Sequence, residues 1–467
     1  MSADPTKLLP NELLAASIDL GDTAAILRAS HVCARWRAIA RGCPGFWRWL
    51  RIAAVSPTAL DFFRARINSS TAPGIGVAII IHGQTQQLSL GVDFQFGLAA
   101  ATVRMELEKH LHRIASLNIS AAALIMNAIA PALTNSAGSL SILALQVPST
   151  PGVAAPYGWS KSWVSNNTPL LRTILLGNIA ISITEPERWF GSATDIRISF
   201  TTISVFVLPS DLFDRFPRGE RIHIGVNFGA RIHVAPPMVK TAARVRPYSV
   251  ITLAGDEAIR LVLPLIPRTP VTRTIVATST VTFDLDQFLL DLTGPLKLRM
   301  SVQTSPHSLD VLFERPGSSP LSRYARIRIP VGHDPGETAT AFFARLTTDI
   351  IHRVLSICVH LDSVHLLGLM APAVQALVLE LEVHTAYRPG DEVAKSFPIG
   401  GVWDTFPQLK RIIVRPGRPY VPRPHDLLLS RLMYKFFGDV EGQTGGRSRP
   451  EIIVIGFPAT VASQRPM

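Results

Sequence analysis

Leu170-Leu171-Arg172-Thr173-Ile174-Leu175-Leu176-Gly177-Asn178 alternates like a half-buried strand and then breaks at a Gly-Asn turn. Counted from Leu117, short apolar strands centred on Leu143, Ile174, Ile198 and Ile222 follow at steps of 26, 31, 24 and 24 residues. Such steps point to a repeated strand-bearing unit, which buries its apolar face only by stacking on its neighbours. Between the strands, Glu187-Arg188-Trp189-Phe190-Gly191 and Asp211-Leu212-Phe213-Asp214-Arg215-Phe216 read as short helices that carry the chain back.

Working outward, Pro57 to Arg66 reads as a helix with Leu60, Phe63 and Ile67 on one stripe, and Val77-Ala78-Ile79-Ile80-Ile81 as a buried strand between Gly76 and Gly83. Leu98 to His112 is a second amphipathic helix, carrying Val103, Leu107 and Leu111, and it feeds a strand from Ile114 to Ile119. Beyond the even region, strands at Ile251, Leu261, Leu298, Ile357, Leu377-Val378-Leu379, Ile412-Ile413-Val414 and Ile452-Ile453-Val454 are less regularly spaced. The second half therefore reads as an interrupted array. Helices fit at Phe342 to Val354 and Leu427 to Phe437, and loops at Pro264 to Arg273, Pro306 to Arg323 and Arg415 to Pro424.

The opening residues have a different pattern. In Leu9-Pro10-Asn11-Glu12-Leu13-Leu14, Pro10 suits a first helical turn, and Leu13, Leu14 and Ile18 share a face. Asp22 can cap a second short helix with Ile26 and Leu27, and Ser30 a third in which Val32, Trp36 and Ile39 recur on one side while Arg35, Arg37 and Arg41 take the other. Three short helices in about forty residues cannot bury all their apolar surface. Part of it should be completed by a second protein.

At these residues the chain resembles the F-box family, in the run Leu9 to Leu14, the Ile26-Leu27-Arg28 segment, Val32-Cys33-Ala34-Arg35-Trp36-Arg37 and the closing Phe46-Trp47. Two positions depart from the family run: Ser17-Ile18 stands for an Ile-Phe pair, and Gly21-Asp22 for Leu-Asp. A helical Gly21 would weaken the first helix by about 1 kcal/mol. The whole arrangement resembles F-box proteins abundant in mushroom-forming fungi, where a degenerate leucine-rich-repeat-like domain follows the docking module. What the resemblance implies is docking onto the small adaptor of a cullin-RING (SCF-type) ubiquitin ligase and through it to cullin, with Leu9, Pro10, Leu13, Ile26, Leu27, Val32, Cys33 and Trp36 at or beneath the interface. It also implies a non-catalytic subunit that recognises a protein substrate inside the cell, in the cytoplasm, the nucleus or both.

Composition bounds the alternatives. The 467 residues are 47% hydrophobic and 17% charged, ample for a folded core, and Lys+Arg exceed Asp+Glu to give a net charge of +12. That balance favours acidic partners, and a basic nucleic-acid-binding or scaffold protein without ligase association is the rival reading. Nucleic acid is not the expected partner, because the Arg residues are scattered and no basic run of five occurs. Cys33, Cys43 and Cys358 form no Cys-x-x-Cys pair, as expected of a reduced intracellular protein. No signal peptide is expected at Met1 to Lys7. The uncharged span Ile114 to Ser160 is interrupted by Asn118, Asn127, Pro131 and Thr134-Asn135-Ser136, so a buried segment is expected in place of a membrane span.

Catalytic motifs are absent from the sequence: there is no phosphate-binding Gly-Lys-Ser/Thr loop, no Gly-x-Ser-x-Gly elbow and no His-Glu-x-x-His pair. No cofactor or metal is expected. His110 and His112 point to different faces of their helix and read as a solvated helix end, and His223 and His233 as surface histidines flanking strands. Asp284 and Asp286 could share a face, but a cap on a helix Gln287 to Leu292 accounts for Asp286. Trp159 and Trp163, near Tyr157 and Lys161, could stack bases or grip a peptide, and otherwise pack a repeat helix onto its strands. The expected fold is α/β, a three-helix F-box-like module followed by an irregular leucine-rich-repeat-like α/β solenoid. Its divisions are 1–52 for docking, 53–112 for a connector and first unit, 113–460 for the repeat-like domain and 461–467 for a frayed tail.

Overall fold

The computed structural model describes residues 9–19, 23–53, 55–70, 74–81, 90–148, 157–158, 168–181, 191–201, 205–227, 230–236, 248–267, 274–279, 283–290, 292–304, 307–316, 321–329, 333, 337–338, 341–342, 344–345, 348–360, 375–381, 410–416 and 451–454. The expected capping residue Asp22, the segments 187–190 and 427–437, the aromatic pair Trp159 and Trp163 and the tail 461–467 lie outside them. The chain is mixed α/β and divides into two compact units, Met1–Arg246 and Pro247–Met467.

The first unit opens with four short helices, α1 (Asn11–Asp19), α2 (Thr23–Ser30), α3 (Ala34–Gly42) and α4 (Pro44–Arg48). A parallel sheet follows, in the order β1 (Trp49–Ile52), β2 (Ile75–Ile81), β3 (Ile114–Ala121), β4 (Ile142–Gln146), β6 (Thr173–Gly177), β8 (Asp195–Phe200) and β10 (Arg221–Val226). Two minor parallel pairs accompany it: β5 (Tyr157–Gly158) with β7 (Ile179–Ala180), and β9 (Val205–Pro209) with β11 (Arg231–Ala235). Helices α5 (Pro57–Ser69), α6 (Leu90–His110) and α7 (Ala123–Ile129) connect the early strands.

Local chemistry accounts for these elements. Ser56 caps α5 by accepting from the Ala59 N–H at 3.3 Å, with Pro57 in the first turn where its missing N–H costs nothing. Leu60, Phe63 and Ile67 line its buried stripe, as the spacing predicts. Helix α6 starts at Leu90, earlier than the expected Leu98, yet its buried stripe of Val103 and Leu107, continued by Leu111, is the predicted one. In each main strand one set of alternate residues is sealed: Leu143 and Leu145, Ile174 and Leu176, Ile196 and Ile198, Ile222 and Ile224.

The strands enter and leave the sheet through repeated hydrogen bonds. At the entry corners the Ser141 carbonyl accepts from the N–H groups of Arg172 and Thr173, Arg172 from Thr194 and Asp195, and Thr194 from Glu220 and Arg221, all at 2.7 to 3.0 Å. At the exit corner Asn178 takes φ 55°. Its Nδ2 donates to the Val147 carbonyl at 2.7 Å and its Oδ1 accepts from the Thr201 N–H at 2.6 Å, tying three successive turns of chain together. Turn backbone that would otherwise be buried unpaired is satisfied in this way.

The main strands of the second unit run in the order β12 (Val250–Ala254), β13 (Thr274–Ser279), β16 (Ser322–Arg328), β15 (His307–Glu314), β14 (Leu296–Thr304), β17 (Val354–His360), β18 (Ala376–Leu381), β19 (Arg411–Pro416) and β20 (Glu451–Val454). Its strands are parallel except that β15 runs antiparallel to both neighbours. Several expectations are corrected here. Leu261 lies in helix α8 (Asp256–Val262), not in a strand, because Ala258, Ile259 and Val262 follow helical spacing behind an acidic first turn. The loop expected from Pro306 to Arg323 holds β15 and the start of β16. Its prolines and glycine hide the alternation of Leu309, Val311 and Phe313, which are buried. The helix near Asp286 is α9 (Leu285–Leu289), capped two residues earlier by Asp284, which accepts from the Gln287 N–H at 3.1 Å. Thr348–Arg353 is helical, but Val354 already opens β17.

Candidate functional site

The four opening helices enclose a small core of Leu14, Ile18, Ile26, Ala29, Ala40, Cys43 and Phe46, against which Trp36, Ile39 and Trp47 are partly buried. The helix ends are tied by side chains. Arg35 donates to the Asn11 side-chain oxygen at 2.9 Å and to the Leu9 carbonyl, which pins the start of α1 onto α3. Arg37 donates to the Ser30 carbonyl at 3.0 Å, closing the end of α2 where a cation is electrostatically favoured. Ser30 is thus the last residue of α2, and it does not cap the third helix as the sequence suggested. The N-cap of α3 is Cys33, with no side-chain cap bond, because Val32 and Cys33 are spent on the turn between the two helices.

The eight expected docking residues separate into two groups. Leu13 is 56% exposed, Val32 61% and Leu9 41%, and Pro10 and Cys33 are exposed beside them in sequence. Ile26 is sealed in the core and Trp36 is half-buried against it. The side chain of Leu27 lies outside the described residues. Leu13 is exposed because Leu14 and Ile18 take the inward positions of α1. Between α1 and α3 runs an open groove of about 430 Å³, lined by Asn11, Glu12, Ala15, Ala16, Ile39, Gly42 and Cys43. Arg28, Arg37, Arg41, Arg48 and Arg51 are exposed on this part of the chain.

Arg66 of α5, which sequence reasoning passed over, joins the helices to the sheet. It is 3% exposed, donates to the Phe46 carbonyl and to the Trp49 carbonyl at 3.1 Å, and sits 4.6 Å from the Phe46 ring centroid. Burial pushes its guanidinium down to about 10. Arg113 donates to the Ile67 and Ser70 carbonyls at the end of α5. Each lies in a stretch with other charged residues, Arg64 near one and Lys109 near the other, and only the tertiary contacts single them out.

Other candidate groups resolve differently from expectation. His110 is not a solvated helix end: it is buried between α5 and α6, 3.2 Å from Asn68 Oδ1 and 3.6 Å from Glu106 Oε2. His112 is exposed. His223 lies within β10 opposite Arg197, and burial, helped by that arginine, holds its imidazole below the usual range. Tyr157 is buried, and its hydroxyl is pushed up to about 12. Among the described residues no group of three metal-ligating side chains occurs, and no helix is long and apolar enough to cross a membrane. Cys33 is exposed and Cys43 and Cys358 are buried, and none of the three is in a disulfide.

No protein-family model matches the chain, and no curated protein matches it.

Proposed function

We propose that the chain is a non-catalytic substrate receptor of a cullin-RING (SCF-type) ubiquitin ligase, with its opening helices docking the adaptor and its strand-rich remainder holding a protein target. The observation that carries this reading is that large apolar side chains of the opening module, Leu13 of α1 and Val32 of the α2–α3 turn above all, stand in solvent beside a core already filled by Leu14, Ile18 and Ile26. With Leu9 also exposed, this small module carries several large apolar side chains that a partner can cover. The parallel strands at near-constant intervals, with shared entry corners, support a repeat-like array as the target-holding part. On this reading the ligase gains rate from proximity, since the target is held close to a charged conjugating enzyme.

The test is capture of the adaptor subunit by the full chain. Leu13→Asp and Val32→Asp change exposed positions, so they should leave the circular dichroism spectrum and unfolding midpoint intact while adaptor capture falls by tenfold or more, roughly the effect of a lost interface anchor. Trp36→Ala is a poorer probe, because it also removes packing from the module's core. Undiminished capture by both Asp variants would remove the assigned surface.

A further inference from the structure

The sheet of the first unit buries one set of alternate side chains and presents the other. Across its strands the register aligns Arg51, Ala78, Asn118, Ala144, Leu175, Arg197 and His223 in a single row. Two glycines keep this face level. A side chain at Gly76 would run into the Trp49 indole, which lies 2.2 Å from the position a Cβ would take, and one at Gly177 into the Gln146 side chain at 2.9 Å. Trp49 and Ile142 remain 50% and 39% exposed on the same face.

The cations stand toward the two ends of the row. Arg51 is exposed at one end. Toward the other, Arg197 is bonded to Asp195 at 3.2 Å and faces His223 of β10, and exposed Arg221 stands opposite Asp195. Between Arg51 and Arg197 the row is uncharged. Five interstrand steps of about 4.8 Å place these two arginines about 24 Å apart, the span of about seven extended residues.

We propose that this face binds a protein segment that crosses the strands with acidic residues at both ends and small or apolar residues between. The proposal deepens the receptor reading above and rests on it for the occupant being a protein target. Charge complementarity selects the occupant: carboxylates meet the arginines at the ends, and the uncharged middle needs no counter-charge. A nucleic acid strand carries a phosphate at every nucleotide and would lay several over Ala78, Asn118, Ala144 and Leu175, where no cation meets them.

The experiment measures fluorescence anisotropy of the full chain with a labelled peptide, Asp-Asp-Ala-Ser-Leu-Ser-Ala-Asp-Asp, against the same peptide with Lys for Asp and a single-stranded oligonucleotide of equal charge. The acidic-ended peptide should bind and the Lys peptide should not. Arg51→Glu and Arg197→Glu should each weaken binding about tenfold, as loss of one close charge pair does. A peptide with Lys at one end and Asp at the other should recover binding to the Arg51→Glu variant, which a general loss of structure would not allow. Absence of binding, indifference to both substitutions, or an oligonucleotide that binds more tightly than the peptide would overturn the proposal. Adaptor capture on the same samples separates the two readings. Peptide binding without adaptor capture keeps this site and removes the ligase assignment, and adaptor capture without peptide binding does the reverse.

Discussion

Asn178 shows how much one residue can carry. Its left-handed backbone is tolerable for asparagine and costly for most other side chains, and its amide meets partners on two neighbouring turns. Replacing it with alanine leaves the Val147 carbonyl and Thr201 N–H without that partner and adds backbone strain. Asn178→Ala should therefore lose about 2–4 kcal/mol in urea unfolding, and Asn178→Gly, which relieves the strain alone, should recover about 1 kcal/mol of it. The Gly-Asn turn was legible in the sequence. That the amide would link separate turns was not, because its partners lie 31 and 23 positions away.

Among the elements, the seam between α5 and α6 holds buried polar groups, Glu106 and His110. Glu106 accepts from Arg64 at 3.2 Å and from Asn68 at 3.0 Å, and Asn68 also receives Lys109 and faces His110. Burial, then Arg113 and Lys109, depress the His110 imidazole, against the opposing pull of Glu106 and with a smaller push from His112. The unfolded chain then takes up the proton more readily than the folded one. Stability from this group is complete above its ordinary value of 6.5 and is lost as pH falls from there toward the depressed folded value. Urea midpoints should drop as pH falls below about 6.5, and His110→Gln should flatten that part of the drop. The β1–β2 contact offers a second test. Gly76→Val should destabilise by about 1–3 kcal/mol through collision with the indole, and adding Trp49→Ala should return most of the loss in a double-mutant cycle.

For the molecule as a whole, the two surfaces assigned a role draw on different elements. Leu13 belongs to the opening helices and Arg197 to β8, with no shared partner among their described contacts. The combined Leu13→Asp, Arg197→Glu variant should show stability changes that add within about 0.5 kcal/mol, while adaptor capture and peptide binding respond each to its own substitution. Coupling much larger than that would mean the surfaces are not independent. The net charge of +12 fits this division, since arginines are exposed both on the opening helices and at the ends of the sheet row.

Periodicity alone determined the α/β class, the strands β2, β3, β4, β6, β8 and β10 and the buried stripes of α5 and α6, because burial of alternate or helically spaced apolar residues is a local property of the chain. It also raised the expectation that the opening helices leave apolar side chains outside their own core. Only the tertiary structure decided which of their apolar residues face inward, placing Leu14 and Ile26 in the core and leaving Leu13 and Val32 outside. The same holds for the antiparallel β15, for Arg66 and His110 in buried seams, and for the row from Arg51 to Arg197. Each depends on a neighbour tens of residues away, and a pattern read over one or two turns of chain carries no information about which distant strand, carbonyl or ring will arrive beside it.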